Sequence, residues 1–290
     1  MPEDYAVFIM VWGRPDNEST YRSLCNSGYT GKVYFVADDL DKTLKGYKDK
    51  YGDDLLVFSK TEIQDLYDPG DNSGDLRSTM YAANIIPEMA KKLGYKYYFI
   101  FCDDYTDFRY KMDGEYKYIN KADILNLDNI FSYLLEYFKS IPATSIAIAQ
   151  GGDFISGKDN DIDSSLGKRR KVMNTFLCST DRPFEFIGRM NEDVTTYHNL
   201  GNKGHLFLTY PNIAINQPET QSSAGGLTDL YLDYGTYIKS FFPVMYNPSS
   251  VKVSLLRDRK YRIHHKASWA NSVPCIIKEK YKVGLQAELV

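Results

Sequence analysis

Asp103 and Asp104 close an apolar and aromatic stretch, KYYFIFCDDYTDF from Lys96 to Phe108. Paired carboxylates at such a point have two uses. They can end a strand by capping a turn or a helix. They can also hold a divalent cation against a diphosphate, because Mg2+ and Mn2+ prefer oxygen ligands and keep open positions for phosphate. Two other apolar runs end in polar groups that suit a nucleotide. Trp12-Gly13-Arg14-Pro15 offers a flat ring, a close backbone approach and a cation, and Asp38-Asp39 can accept hydrogen bonds from a ribose or a base. Ligands of open α/β sheets sit beyond the carboxyl ends of the strands, so the three ends together describe a nucleotide-diphosphate site.

A second group of polar residues follows another apolar run. In FEFIGRMNEDVTTY, Phe184 to Tyr197, Arg189, Asn191, Glu192 and Asp193 crowd the start of an expected helix. Capping and first-turn acids facing the helix dipole explain one of these carboxylates. The alternative is a general base for an acceptor hydroxyl, positioned by its neighbours. His264 and His265 stand side by side in YRIHHK, and on a strand only one of the two would face a site, as a metal ligand or a phosphate donor. A structural role explains that histidine equally well. The glycines of SSAGGLTDLY open a further expected helix, where backbone N–H groups can approach a phosphate or simply form a loop.

The elements that must position these residues follow an alternating rhythm. YAVFIMVW, KVYFVADD, LLVFSK and YKYYFIFCDD read as buried strands. Between them lie helix signals: ESTYRSLCNSG, KTLKGYKDKY, and a long segment from Gly74 to Tyr95 with Asp75 or a neighbour as cap and Gly94 as stop. Near-continuous apolar strands alternating with helices predict a Rossmann-like, mostly parallel central sheet flanked by helices, an α/β fold. Past Asp104 the pattern changes. FRYKMDGEYKYI is a hairpin around Asp113-Gly114 and LDNIFSYLLEYFKS an amphipathic helix. SIAIAQGG, TFLCST, FEFIG and HLFLTYPNIAIN add strands of a smaller mixed β region, and a last helix runs from Thr228 to just before Pro243. Residues 156 to 171 read as a mobile polar loop: a lid, a binding loop or local disorder. No linker or repeat interrupts the chain, so one domain over residues 1–290 is expected, with a nucleotide-binding half (1–105) and an acceptor half (106–290).

Composition narrows the function classes. The net charge is −3, which excludes a globally basic nucleic-acid-binding surface. Two local tracts are basic: GKRRK, Gly167 to Lys171, and RDRKYRIHHK, Arg257 to Lys266. Each is a candidate anion site or a solvated face. The four cysteines show no metal-ligand spacing and read as reduced thiols. The N-terminal run from Ala6 to Trp12 is far shorter than the ~20 residues of a membrane span and is preceded by acidic residues, so a cytoplasmic protein is expected.

The FCDDY strand end, the later GRMNEDV block, the AGGLTDLY helix start and the terminal RIHHK together resemble the TET/JBP-associated glycosyltransferases, found largely in phages of modified DNA. The resemblance covers most of the chain. It implies a GT-A fold, a nucleotide-sugar donor such as a UDP-sugar, and a divalent metal, Mn2+ or Mg2+, on the diphosphate. The implied acceptor is the hydroxymethyl group of a 5-hydroxymethylpyrimidine in DNA, in a host cytoplasm. Asp103 and Asp104 match the metal-binding acidic pair, Asn191, Glu192 and Asp193 the acceptor-side block, and His264 or His265 a C-terminal metal or phosphate contact. Trp12, Gly13, Arg14, Asp38, Asp39, Arg77, Arg189 and Lys171 are the expected donor-binding residues. Asp193, before Glu192, is the expected base, with inversion at the anomeric carbon. The pair departs from the family pattern in being Asp-Asp rather than Asp-any-Asp. Rival readings are a glycosyltransferase acting on a glycan or small molecule, and a silent nucleotide-sugar or DNA-binding module. A nucleotidyltransferase would need a Gly-rich loop followed by Arg-Leu after the first strand, where only GRP stands.

Overall fold

The computed structural model describes residues 4–115, 117–150, 175–218, 227–257, 261–268, 271–272, 276, 278, 280 and 282. Its first half is the alternating series: β1 (Tyr5–Met10), α1 (Thr20–Asn26), β2 (Val33–Asp38), α2 (Leu44–Tyr51), β3 (Leu55–Phe58), α3 (Lys60–Ile63), α4 (Met80–Lys92) and β4 (Tyr97–Cys102). There follow β5 (Asp107–Met112), β6 (Tyr118–Asp123), α5 (Leu127–Ser140), β7 (Ser145–Gln150), β8 (Phe176–Ser179), α6 (Glu192–Asn202) and β9 (Phe207–Asn216). The described chain continues with α7 (Thr228–Tyr234), α8 (Phe241–Tyr246), β10 (Val251–Arg257) and β11 (Tyr261–Ala267).

Nine strands form one sheet in the order β3-β2-β1-β4-β8-β7-β9-β5-β6, and β10 pairs with β11 separately. β1 lies parallel between β2 and β4, with Ile9 opposite both Phe35 and Phe101. β8 runs antiparallel to β4 and to β7, and β9 runs parallel to β7. β7 and β9 therefore point the same way as β1 and β4, and all four end on one edge. The strands are buried on both faces, which is why they read as unbroken apolar runs. Val7, Ile9, Phe35, Phe99 and Phe101 pack under Leu24 of α1, Tyr47 of α2 and Phe131 of α5. The alternate residues Ala6, Phe8, Val36, Tyr98 and Ile100 pack under Met80 and Ile86 of α4 and Val194 and Tyr197 of α6.

The α/β sheet is the one expected, and three local departures have physical causes. The helix expected from Gly74 begins only at Met80, because side chains capture the backbone before it: Asp75 accepts from the Arg77 N–H at 2.9 Å and the Ser78 hydroxyl from the Met80 N–H at 3.0 Å. FEFIG forms no strand. Its backbone pairs with a helix side chain instead, Asn84 accepting from the Phe186 N–H at 2.7 Å and donating to the Phe186 carbonyl at 2.9 Å. The last expected helix is broken into α7, a 3-10 turn over Thr236–Ser240 and α8. Gly235 sits at φ 85° at the break, and Pro243 falls in the first turn of α8, where its missing N–H costs nothing. Within β9, Pro211 lies at a register shift against β7, the position where a strand tolerates proline.

Cys25, Cys102 and Cys178 are free thiols, and Cys275 lies outside the described residues, as do 156–171 and the Gly225-Gly226 pair. No helix among the described residues is long and apolar enough to cross a membrane.

Gly28 ends α1 at φ +79°, and a Cβ there would meet the Leu125 carbonyl oxygen at 2.3 Å. Gly94 ends α4 at φ +87° with nothing within 4 Å of a Cβ. Gly28→Ala is therefore expected to lose about 2 kcal/mol or more in denaturant unfolding, and Gly94→Ala only about 1 kcal/mol.

Candidate active site at the carboxyl edge of the sheet

Arg14 follows β1 and Asp103 follows β4, and parallel pairing brings their backbones to the same edge. The guanidinium meets the carboxylate as a fork, Nε donating to Oδ2 at 2.8 Å and Nη2 to Oδ1 at 2.6 Å. Burial pushes the Asp103 carboxyl up from its ordinary value, and Arg14 works against that shift. The turn is tied further by α1. Thr20 Oγ1 donates to the Cys102 carbonyl at 2.6 Å and accepts from the Tyr105 N–H at 2.9 Å, and the Ser19 N–H donates to the Asp103 carbonyl at 3.0 Å. Asp104 is held differently. Its Oδ1 accepts from Gln217 Nε2 at 3.0 Å, Gln217 Oε1 accepts from Gln150 Nε2 at 2.7 Å, and Oδ2 has no hydrogen-bond partner among the described residues. The acidic pair is thus split, one carboxylate covered by a guanidinium and the other steadied at the ends of β7 and β9.

The other strand ends are equally specific. Asp38 forms a buried ion pair with Lys60, Nζ to Oδ2 at 2.5 Å. Burial raises the Asp38 carboxyl while Lys60 opposes the shift. The same ammonium lies 4.6 Å from the centre of the Trp12 ring, which fixes the ring at the edge of the site. Asp39 is exposed and accepts from the Lys60 N–H at 3.0 Å. Gly13, at φ 74°, donates its N–H to Asp41 Oδ2 at 2.9 Å, and the Arg14 N–H donates to the Tyr47 hydroxyl at 3.0 Å. The β1 turn therefore rests on the loop before α2 and on α2 itself.

The Asn191-Glu192-Asp193 block starts α6 near this edge. Asn191 is the one non-glycine residue with positive φ (52°) among the described residues, a left-handed conformation that asparagine adopts more readily than most. Its Nδ2 donates to the Lys239 carbonyl at 2.7 Å and lies 3.3 Å from His265 Nδ1. Glu192 accepts from the Thr79 hydroxyl at the start of α4. Burial raises the Cys102 thiol, and Asp104, Asp103 and Glu192 all add to that rise. Burial likewise raises the Tyr231 hydroxyl, with Glu192 and Asp193 contributing. Asp193 is half-buried, its Oδ1 accepting from the Val194 N–H at 2.7 Å.

The two remaining arginines are tied to carboxylates. Arg189 is 1% exposed; it donates from Nη2 to Asp71 Oδ2 at 2.6 Å and lies against the Tyr234 ring. Arg77 forks onto Asp75 and reaches Asp233 Oδ2 at 2.6 Å. Arg189 ties the loop between α3 and α4 to the segment before α6, and Arg77 ties it to α7. His264 and His265 lie in β11 with their ring centres 4.3 Å apart, and the contact recorded above takes His265 to Asn191. Among the described residues no group of three or more His, Cys, Asp or Glu side chains converges as a metal cage. Lys171 and the rest of GKRRK lie outside the described residues.

The TET-Associated Glycosyltransferase family matches residues 5–226, most of the 290-residue chain. The chain belongs to that family. It is a glycosyltransferase, and the edge described above is the part of the enzyme that carries its acidic strand end. No curated protein matches the sequence. Similar solved structures include glucosyl-3-phosphoglycerate synthase from Mycobacterium tuberculosis in complex with Mg2+ and UDP, 12% identical over 91% of this chain and 87% of that one, TM-score 0.39. The same synthase with Mn2+, UDP-glucose and phosphoglyceric acid is 11% identical over 92% and 90%, TM-score 0.40. A mycobacterial protein is 8% identical over 91% and 83%, TM-score 0.43. Likenesses this low transfer no residue role to the present glycosyltransferase.

Several residues that build the site gave no signal in the sequence of this glycosyltransferase. Lys60, Asp41, Gln150 and Gln217 are ordinary polar residues at strand ends or in turns, and only the fold brings them to the edge. Glu18 is the most consequential. It is buried beside α1, accepting from the Tyr21 N–H at 2.6 Å and from the Tyr51 hydroxyl at 3.4 Å. Burial pushes its carboxyl up to about 7, and nearby Asp103 adds to the rise. Between its ordinary value and about 7 the folded state holds a proton that the unfolded state has lost, so stability falls as pH rises through that window, by on the order of 3 kcal/mol. Glu18→Gln should melt several degrees above the parent at pH 8 and match it at pH 4.5; coincident melting at both pH values would refute the assignment.

Proposed function

We propose that this glycosyltransferase moves a sugar from a nucleoside-diphosphate sugar, a UDP-sugar in the first instance, to the hydroxymethyl group of a 5-hydroxymethylpyrimidine in DNA. The observation that supports the reading is the contact of Thr79 with Glu192, which sets the Asn191-Glu192-Asp193 helix start against the start of α4, in a chain of the TET-associated family whose β4 ends in Asp103-Asp104. In this reading residues 1–105 bind the donor and 106–290 the acceptor. The Trp12 ring, steadied by Lys60, offers a face to the base, and Asp39 offers acceptors to base or ribose donors.

Asp104 is the carboxylate that fits a divalent ion, since Arg14 takes both oxygens of Asp103 while Oδ2 of Asp104 is open. Mg2+ and Mn2+ in phosphate chemistry are held through one or two carboxylates plus substrate phosphates, so a cage of protein ligands is not required. When bound, such an ion would neutralise the charge gathering on the departing diphosphate. His264 and His265 lie on the acceptor side, where the reading gives them a phosphate contact.

Asp193 takes the proton of the acceptor hydroxyl as that oxygen bonds to the anomeric carbon. The bond from the anomeric carbon to the diphosphate oxygen breaks, and its electron pair leaves with the nucleoside diphosphate. Direct displacement through an oxocarbenium-like state inverts the anomeric centre. Glu192, engaged by Thr79, holds the start of α6 against α4.

The test is mass spectrometry of nucleosides after the protein is incubated with Mn2+, a panel of nucleotide-sugars, and DNA carrying 5-hydroxymethylcytosine or 5-hydroxymethyluracil. A nucleoside heavier by one glycosyl unit is expected, and none under any combination would overturn the DNA acceptor. Asp193→Asn should lower turnover about 100- to 10,000-fold with donor binding intact. Full turnover in that variant would remove the base assignment.

A further inference from the structure

The β10–β11 ribbon lies beyond residue 226, where the family match ends. Its two faces differ in chemistry. Leu255 pairs with Ile263 and Val253 with His265, so these side chains share one face, and Tyr261 lies two residues along from Ile263 on the same side. That face is apolar yet open: Leu255 is 62% exposed, Tyr261 63%, Ile263 43% and Val253 40%. The opposite face places Lys252 across from Lys266, with Arg262 nearby, and all three are exposed. The described strands contain no carboxylate, and none of these three cations forms an ion pair among the described residues.

Like charges directly opposite on a ribbon repel, and apolar side chains left in water forgo the gain of burial. Both costs fall if the ribbon lies against a polyanion that also offers flat apolar surface. Nucleic acid is such a partner. A two-stranded ribbon fits a DNA groove, apolar side chains can wedge between base steps, and long cationic side chains can reach around to the phosphates. The ribbon is also attached at the right place. His265, on the apolar face, reaches Asn191 beside Glu192 and Asp193.

We propose that the β10–β11 ribbon is a DNA-opening element, its Leu255–Tyr261–Ile263 face set against the bases and Lys252, Arg262 and Lys266 on the phosphates. It would keep the target nucleotide out of the stack beside Asn191. The inference rests on the DNA reading of the site and concerns how a base inside a duplex reaches it, a step any enzyme acting on a base must solve.

The experiment uses the full chain and a duplex with 2-aminopurine next to a 5-hydroxymethylcytosine, so that opening is read by fluorescence without any sugar transfer. Two variants are compared with the parent: Leu255→Ser/Tyr261→Ala, and Lys252→Glu/Lys266→Glu, all exposed positions whose folding is checked by circular dichroism. The apolar variant should lose most of the fluorescence rise and bind duplex about 10-fold more weakly. The charge variant should flatten the slope of log affinity against log salt by about 2. Parental opening and salt slope in both variants would overturn the proposal, as would a parent that neither binds nor opens duplex. A parental dimer that both variants convert to monomer, with DNA binding unchanged, would overturn it in favour of self-association. Failure of the acceptor reading is detected separately: opening without any glycosylated nucleoside leaves the ribbon's role standing and removes hydroxymethylpyrimidine as the acceptor.

Discussion

The fork between Arg14 and Asp103 is the interaction on which the rest of the site depends. It joins the ends of β1 and β4, the two central parallel strands, and it is buried, with side chains 14% and 6% exposed. Removing one member of such a pair strands the other charge in a low-dielectric interior, at a cost of about 3–5 kcal/mol. The pair therefore fixes the edge as a unit. With Asp103 covered by Arg14, its neighbour Asp104 does not face a second uncompensated carboxylate.

From that fixed point the edge is extended by contacts of the same kind. Lys60 neutralises Asp38 and orients Trp12, Asp41 holds the Gly13 turn, and Gln217 links Asp104 to the ends of β7 and β9. The helix start at Asn191 is pinned by a left-handed residue and by Lys239 and Thr79, while buried Arg189 locks the loop before α4 to the same region. Asp104 keeps one oxygen without a hydrogen-bond partner among the described residues. The electrostatic design sets two carboxylates neutralised by cations, Asp103 and Asp38, beside Asp104, which no cation covers among the described residues.

Much of this was legible in the sequence, and the reasons are local. The strands β1, β2, β4 and β7 are continuous apolar runs because both faces are covered, and their polar ends sit at the edge because the strands are parallel. The Asp113-Gly114 hairpin and the stop at Gly94 follow from turn chemistry alone. What was hidden is long-range. FEFIG has strand composition, yet Asn84 of α4 takes the hydrogen bonds a neighbouring strand would have made. The helix start at Asp75 failed because that carboxylate serves Arg77. The division of labour between Asp103 and Asp104 depends on an arginine 89 residues away in sequence, which no local pattern encodes.

The central claim is that Asp104 faces the donor's diphosphate and its ion while Asp103 serves Arg14. It is tested most directly by measuring Mn2+ uptake in the presence of UDP by electron paramagnetic resonance. Asp104→Asn is predicted to lose that uptake with its melting temperature unchanged, whereas Asp103→Asn combined with Arg14→Met, which removes the ion pair as a unit, retains measurable Mn2+. Parental Mn2+ affinity in folded Asp104→Asn would contradict the account.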